Sequence, residues 1–186
     1  MGGWSGAGSY SRVEMARQSR EERAHLRAAR AGSLDGFEQL FRAHWPRAYR
    51  AALLVVHDPA AAEDIAQEAF LAAIRALDTF DRSRPFGPWL HRIVVNRAID
   101  WARARALRAE AALGEEPAVE DVRELGDELM GTLAHLSPEH RAVIVLRHVL
   151  GYSPGEIARL LGLPRGTVNS RLRRGLDELK ERLDDA

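Results

Sequence analysis

The sequence predicts an all-α protein of two small helical domains, joined by a flexible acidic linker, with a helix-turn-helix in the second. Three observations carry this reading. Ala, Leu and Arg dominate and apolar residues recur three and four apart, with almost no strand-like alternation. Charge divides the chain: residues 1–31 hold six basic against three acidic side chains, 32–108 eleven against nine, 109–131 one against eight, and 132–186 nine against seven. Finally, residues 160–171 join two amphipathic helical patterns through one tight turn. The expected divisions are an N-terminal extension over 1–32, a helical domain over 33–108, the linker over 109–131 and the helix-turn-helix domain over 132–186.

Residues 1–9 are rich in Gly and Ser and the stretch to Arg30 is rich in Arg and Glu, which predicts a floppy or partly helical arm. From 34 to 56 the set Phe37, Leu40, Phe41, Tyr49, Ala52 and Leu53 marks one helix, which Pro46 should kink. Asp58 is placed to cap a second helix, with Pro59 in its first turn, Glu63 and Asp64 near its positive end and its last residue near Leu77. Its core face is Ile65, Ala69, Ala73 and Leu77, with Phe70 and Ile74 alongside. On another side Asp64, Gln67, Glu68 and Leu71 form a compact acidic patch with an apolar edge. A solvated surface stripe accounts for that patch equally well.

A third helix is expected from Trp89 towards Arg105, behind Pro85-Phe86-Gly87-Pro88. Trp89, Leu90, Ile93, Val94 and Trp101 share its apolar side, while Arg92, Asn96 and Arg103 align within about 40° on an exposed stripe. Guanidinium and amide groups so arranged suit phosphates and bases. The loop before it holds Phe80, Arg82, Arg84 and Phe86, aromatic and basic groups able to stack on and hold unpaired bases. Core packing of Phe80, Phe86 and Trp89 is the competing reading, and it is the better one for Trp89.

The linker contains Gly114, Pro117, Gly126 and Gly131 and few large apolar residues, which predicts poor order with a short helix near 119–125. Beyond it, Ser153, Pro154 and Glu156 have the order of a capping box at the start of a helix ending near Leu161. Gly162 stops that helix and Pro164 opens the next. In this last helix Val168, Leu172, Leu176, Leu179 and Leu183 fall within an apolar arc of about 80°. Opposite lie Ser170 and Arg174, flanked by Thr167, Asn169, Arg171 and Arg173, with Arg165 at the helix start. Guanidinium, amide and hydroxyl groups on one exposed face are base-edge and phosphate ligands, and turn chemistry in register with them favours DNA binding over a plain hairpin.

The absence of cysteine excludes disulfides, thiolate metal sites and thiol redox switching. The seven histidines lack metal-ligand spacing, His135 and His140 being five apart, so neither metal nor cofactor is expected. No apolar run reaches the roughly 18 residues of a membrane span, and no signal peptide is visible, which predicts a cytoplasmic protein. Neither a glycine-rich phosphate loop nor a nucleophile-base cluster is present, so no catalysis and no small-molecule substrate are expected.

These motifs together resemble the extracytoplasmic-function (ECF) sigma factors of the sigma-70 superfamily. Ala62-Glu63-Asp64-Ile65-Ala66-Gln67-Glu68-Ala69-Phe70 resembles the polymerase-binding segment of region 2. Trp89-Leu90-His91-Arg92-Ile93-Val94-Val95-Asn96 resembles its promoter-melting helix, and residues 136–179 resemble region 4. The resemblance implies that Asp64, Gln67 and Glu68, with Leu71 beside them, dock on core RNA polymerase, on its β and β′ subunits. It implies that Asn96, with Arg92, helps to read a −10 element as one strand is flipped out of the duplex, the preceding loop forming the pocket. Asn169, Ser170 and Arg173 would read a −35 element in the major groove while Thr167, Arg171 and Arg174 grip phosphates. Asn169 departs from the Arg that similar proteins often carry. The acidic linker would cross a positively charged polymerase channel, and an anti-sigma factor would be a further partner. The alternatives are a stand-alone helix-turn-helix repressor or activator and a helical adaptor for acidic proteins.

Overall fold

The computed structural model describes residues 12–81, 83–111 and 127–184, with the side chains of 20–81, 83–109 and 130–182. Among the described residues there is no strand, and eight α-helices form two packed groups. The first group is α1 (Arg12–Arg30), α2 (Leu34–Val56), α3 (Pro59–Arg75) and α4 (Phe86–Ala111), with a 3₁₀ turn at Leu77–Thr79. The second is α5 (Asp127–Ala134), α6 (Pro138–Ile144), α7 (Pro154–Leu161) and α8 (Arg165–Asp184), and α6 runs on into a π-type turn at Val145–Val149.

Local chemistry sets most of these ends. Ser33 Oγ accepts from Gly36 N–H at 3.3 Å to start α2, and Asp58 Oδ1 accepts from Ala61 N–H at 2.9 Å to start α3. Between them His57 takes the left-handed conformation, φ 56°, its buried ring Nε2 lying 3.0 Å from Leu54 O. A non-glycine residue is held there because the tight α2–α3 corner needs that dihedral and the ring satisfies a carbonyl at the helix end. The core of the first group includes Leu53, Leu54, Leu90, Val94 and Val95; Val143, Val145, Leu146, Ile157 and Val168 continue it into the second.

The structure departs from the sequence reading in several places. The expected flexible extension includes α1, whose Leu26 and Ala29 are buried against the first group. Helix α2 runs unbroken through Pro46, which lies with Arg42 on the exposed side of the helix, where water can meet the carbonyl that a proline cannot bond. Helix α4 starts at Phe86, three residues early, because Glu22 Oε1 accepts its first free N–H at 3.0 Å and Pro88 is tolerated in a first turn. The acidic segment loses residues 127–131 to α5, whose Met130 is buried. The helix expected near 119–125 lies outside the described residues. In α8, Val168 and Leu172 are buried and Leu179 is half-buried, but Leu176 is 44% exposed. At about 1.5 Å per residue α8 is about 30 Å long, against about 18 Å for α6 with its π turn, so its far end overhangs the helix it packs on.

Candidate nucleic-acid interface

The C-terminal turn is built as its chemistry requires. Ser153 Oγ accepts from Glu156 N–H at 3.3 Å while Glu156 Oε2 accepts from Ser153 N–H at 2.8 Å, a complete capping box. Gly162 closes α7 at φ 67°, and Pro164 O accepts the first α8 bonds from Thr167 and Val168 N–H. Pro164 therefore occupies the cap position, not the first helical residue as expected. Gly175 lets α8 lie on α6: a Cβ there would meet Ile144 Cγ1 at 3.3 Å.

This packing leaves Arg165, Asn169, Arg173 and Arg174 exposed and Thr167, Ser170 and Arg171 half-buried. Among the described residues none of the four arginines forms an ion pair, so their charge is available to a ligand. Arg171 is close enough to Glu139 to help hold that carboxyl below its usual range. Burial would raise Glu139, but its own backbone N–H at the start of α6 and the Arg103 guanidinium outweigh it.

On α4, Arg92 and Asn96 are exposed, as their stripe predicted. Arg103, expected on the same stripe, instead reaches across to Glu139 in the second helical group. Phe80 is a second correction. It is 7% exposed, its ring 4.6 Å from Trp89 and edge-on to Phe86 at 5.9 Å, so it packs in the core and offers no face to a base. The apolar effect wins because the 3₁₀ turn carries the ring inward just before α4. Arg84 is exposed and pairs with Asp81 Oδ2 at 3.3 Å. Hydrogen bonds from the Ser83 hydroxyl and N–H hold Asp81 below its usual range and tie the loop into a tight turn. Arg82 lies outside the described residues.

The acidic patch on α3 is present, with one partner one turn back on the same helix and one on α4 that sequence spacing did not suggest. Glu68 Oε2 accepts from Arg97 at 2.7 Å, and Gln67 Nε2 donates to Glu63 at 3.0 Å. Asp64 is exposed, and Leu71 is 51% exposed. Exposed Phe41 and Ile74 belong to a neighbouring apolar groove of about 340 Å³, floored by Phe37 and Phe70. The signal for that groove was available in the sequence: Ile74 falls off the centre of the α3 core face.

Beside the shared apolar core, three polar contacts join the helical groups among the described residues, and no sequence pattern pointed to them. His91 Nδ1 lies 2.7 Å from Tyr152 Oη, Arg103 pairs with Glu139, and the buried Arg141 guanidinium donates to Val55 O of α2. Arg141 also donates to the carbonyls of Leu133, Ala134 and Leu136 at 2.8–2.9 Å. Burial lowers its pKa to about 10, which leaves it charged at neutral pH. Burial, with Arg141 opposite, lowers His57 to about 4; burial, with His44 and Arg47 opposite, does the same to His91. Burial pushes the Tyr152 phenol up.

Among the described residues no helix is long and apolar enough to cross a membrane, and no three His, Asp or Glu side chains are placed to hold a metal ion. The sequence matches the family models Sigma-70 region 2 over residues 40–108 and Sigma-70, region 4 over residues 126–179. It is 36% identical over 163 residues to RNA polymerase sigma factor CarQ of Myxococcus xanthus, covering 84% of this chain and 94% of that one. It is 32% identical over 179 residues to the ECF RNA polymerase sigma factor SigW of Bacillus subtilis, covering 86% and 95%. Among solved structures, CnrH in complex with the cytosolic domain of CnrY aligns at TM-score 0.68 and 33% identity, over 89% of this chain and 98% of that one. The sigma factor RpoE in complex with the anti-sigma factor NepR, from Bartonella quintana, aligns at 0.65 and 25%, over 81% and 98%. With both conserved regions matched in order and near full-length relatives above 30% identity, this chain belongs to the ECF sigma factors of the sigma-70 family.

Proposed function

We propose that this chain is a cytoplasmic promoter-specificity subunit of RNA polymerase that directs initiation by recognising −10 and −35 elements and performs no catalysis of its own. The observation that carries the reading is the α8 face: four arginines without ion pairs among the described residues, beside Asn169 and Ser170, on a helix fixed by a capped turn. Asp64, Gln67, Glu68 and Leu71 dock on the β and β′ subunits. Arg92 and Asn96 bind the −10 strand, with Arg82 and Arg84 holding its phosphates from the loop. Asn169, Ser170 and Arg173 read −35 bases while Arg165, Thr167, Arg171 and Arg174 grip phosphates. Asn169 suits adenine, whose N6 and N7 an amide bonds in bidentate fashion. An anti-sigma factor of the kind that holds RpoE is the regulatory partner.

Geometry adds a requirement. The two promoter elements are separated by roughly 25 base pairs, about 85 Å at 3.4 Å per step. Helix α4, the longest here at 26 residues, spans about 39 Å. The two helical groups, in contact through Arg141, Tyr152 and Glu139, must therefore part before both elements are engaged.

Run-off transcription from a promoter library, with core polymerase alone and with this protein, tests the proposal. New start sites are expected only on addition of the protein, and they should vanish with Asp64→Ala/Gln67→Ala. No new transcripts, together with sequence-specific duplex binding by the protein alone, would instead indicate a stand-alone repressor or activator.

A further inference from the structure

Helix α1 lies ahead of the region 2 match, which begins at residue 40, and nothing in the promoter reading assigns it a task. Its exposed side carries Arg20, Arg23 and Arg27, three and four residues apart, so they share one face. With Leu26 they line a surface depression of about 430 Å³. Several surface arginines of this group are neutralised by carboxylates, Arg30 by Asp78, Arg42 by Glu38, Arg97 by Glu68 and Arg105 by Asp58, whereas exposed Arg47, Arg75 and Arg92 form no ion pair among the described residues but do not lie together on one helix face. Among the described residues no carboxylate forms an ion pair with Arg20, Arg23 or Arg27. Concentrated positive charge of this kind attracts a ligand that is itself negative.

The position of the stripe is fixed. Glu22, between two of these arginines, turns inward, accepting from Phe86 N–H at 3.0 Å with its other oxygen 3.2 Å from His44 Nε2. Burial would raise the Glu22 carboxyl, but these bonds outweigh it, so the tether stays charged. Phe86 is the first residue of α4, the helix that carries Arg92 and Asn96. Arg30 pairs with Asp78 at 2.8 Å, which pins the other end of α1 beside the loop leading to Arg84.

We propose that Arg20, Arg23 and Arg27 form a phosphate-binding surface that holds the promoter DNA backbone next to the −10 element. This rests on the promoter reading above. The three residues span about 10 Å of helix, the rise of about three nucleotide steps. An acidic protein partner would need apolar contacts as well as charge, and among the described residues the one apolar side chain lining the depression, Leu26, is 2% exposed. A phosphodiester backbone needs charge alone.

The test uses the full chain assembled with core polymerase and measures promoter affinity across a salt series for Arg20→Ala/Arg23→Ala/Arg27→Ala. Each phosphate contact adds about 0.7 to 0.9 to the slope of log affinity against log salt, so the triple variant should flatten that slope by about two. Preference for intact over mutated −10 and −35 sequences should be unchanged, and the Arg→Lys triple variant should keep the slope. Arg171→Ala is the reference. If it weakens promoter binding while the alanine triple variant keeps the wild-type slope, this proposal fails and the promoter reading stands. If neither changes promoter binding, the promoter reading fails too. A triple variant that loses affinity for core polymerase in the absence of DNA, with the slope intact, would make the face a protein contact and overturn the proposal.

Discussion

Arg141 shows how one side chain can join two parts of a protein. Its guanidinium donates to four carbonyls, on α2, in α5 and in the turn after it, so removing it orphans buried acceptors as well as a charge. Arg141→Met is expected to cost about 3 kcal/mol or more, read from the urea unfolding midpoint. Sequence inspection had no access to this. Val55 is 86 residues away, and an arginine in the last turn of a short helix looks like any cation placed near a helix C-terminus. The capping box at Ser153 was legible because both partners lie within four residues. Two buried histidines give a pH test. His57 and His91 have folded pKa values of about 4 against 6.5 unfolded, so the unfolded chain binds their protons first. Stability from these groups is intact above about pH 6.5 and is lost as pH falls from there to about 4. Between pH 7 and pH 5 each should cost about 2 kcal/mol. In His91→Gln, urea unfolding at the two pH values should show roughly half that loss; an unchanged loss would remove His91 from the account.

At the scale of elements, periodicity placed the helices well, and the misplaced ends trace to contacts made at a distance. Helix α4 began early because of Glu22, and α8 was read as apolar to its end although its support is shorter than it is. The candidate site follows the same division. Arg92, Asn96 and the α8 face were readable from helical angle alone, whereas Phe80 and Arg103 were not, since their fates depend on the packing of α4 and the approach of α6. Helix α1 depends on one glycine. A Cβ at Gly36 would stand 2.6 Å from Ala29 N and 2.9 Å from His25 O, both backbone atoms that cannot rotate away. Gly36→Ala should therefore force α1 off α2 at a cost of about 1–3 kcal/mol. Hydrogen exchange is expected to quicken at the amides of residues 25–30 and to stay unchanged in α7 and α8. Equal loss of protection in all three would mean the substitution unfolds the chain generally.

At the scale of the molecule, two of the three polar contacts that hold the helical groups together use residues on or beside the surfaces proposed to meet DNA. Arg103 lies on the α4 stripe with Arg92 and Asn96, and its partner Glu139 is close to Arg171 of α8. His91, one residue before Arg92, meets Tyr152, one residue before the α7 cap. The joined arrangement and the promoter-bound one thus compete for the same elements, and binding must supply the free energy to part them. The chain contains no cysteine, so a pair introduced as Arg103→Cys/Glu139→Cys can be bridged without side reactions. Joined by a short, reducible thiol cross-linker, this variant should lose run-off transcription, and reduction should restore it to the level of the unbridged double variant. Its affinity for core polymerase through α3 should fall far less than its transcription, because Asp64 and Leu71 remain exposed in the joined form. Full transcription by the bridged protein would mean that both promoter elements are reached without separation, and the distance argument would then be wrong.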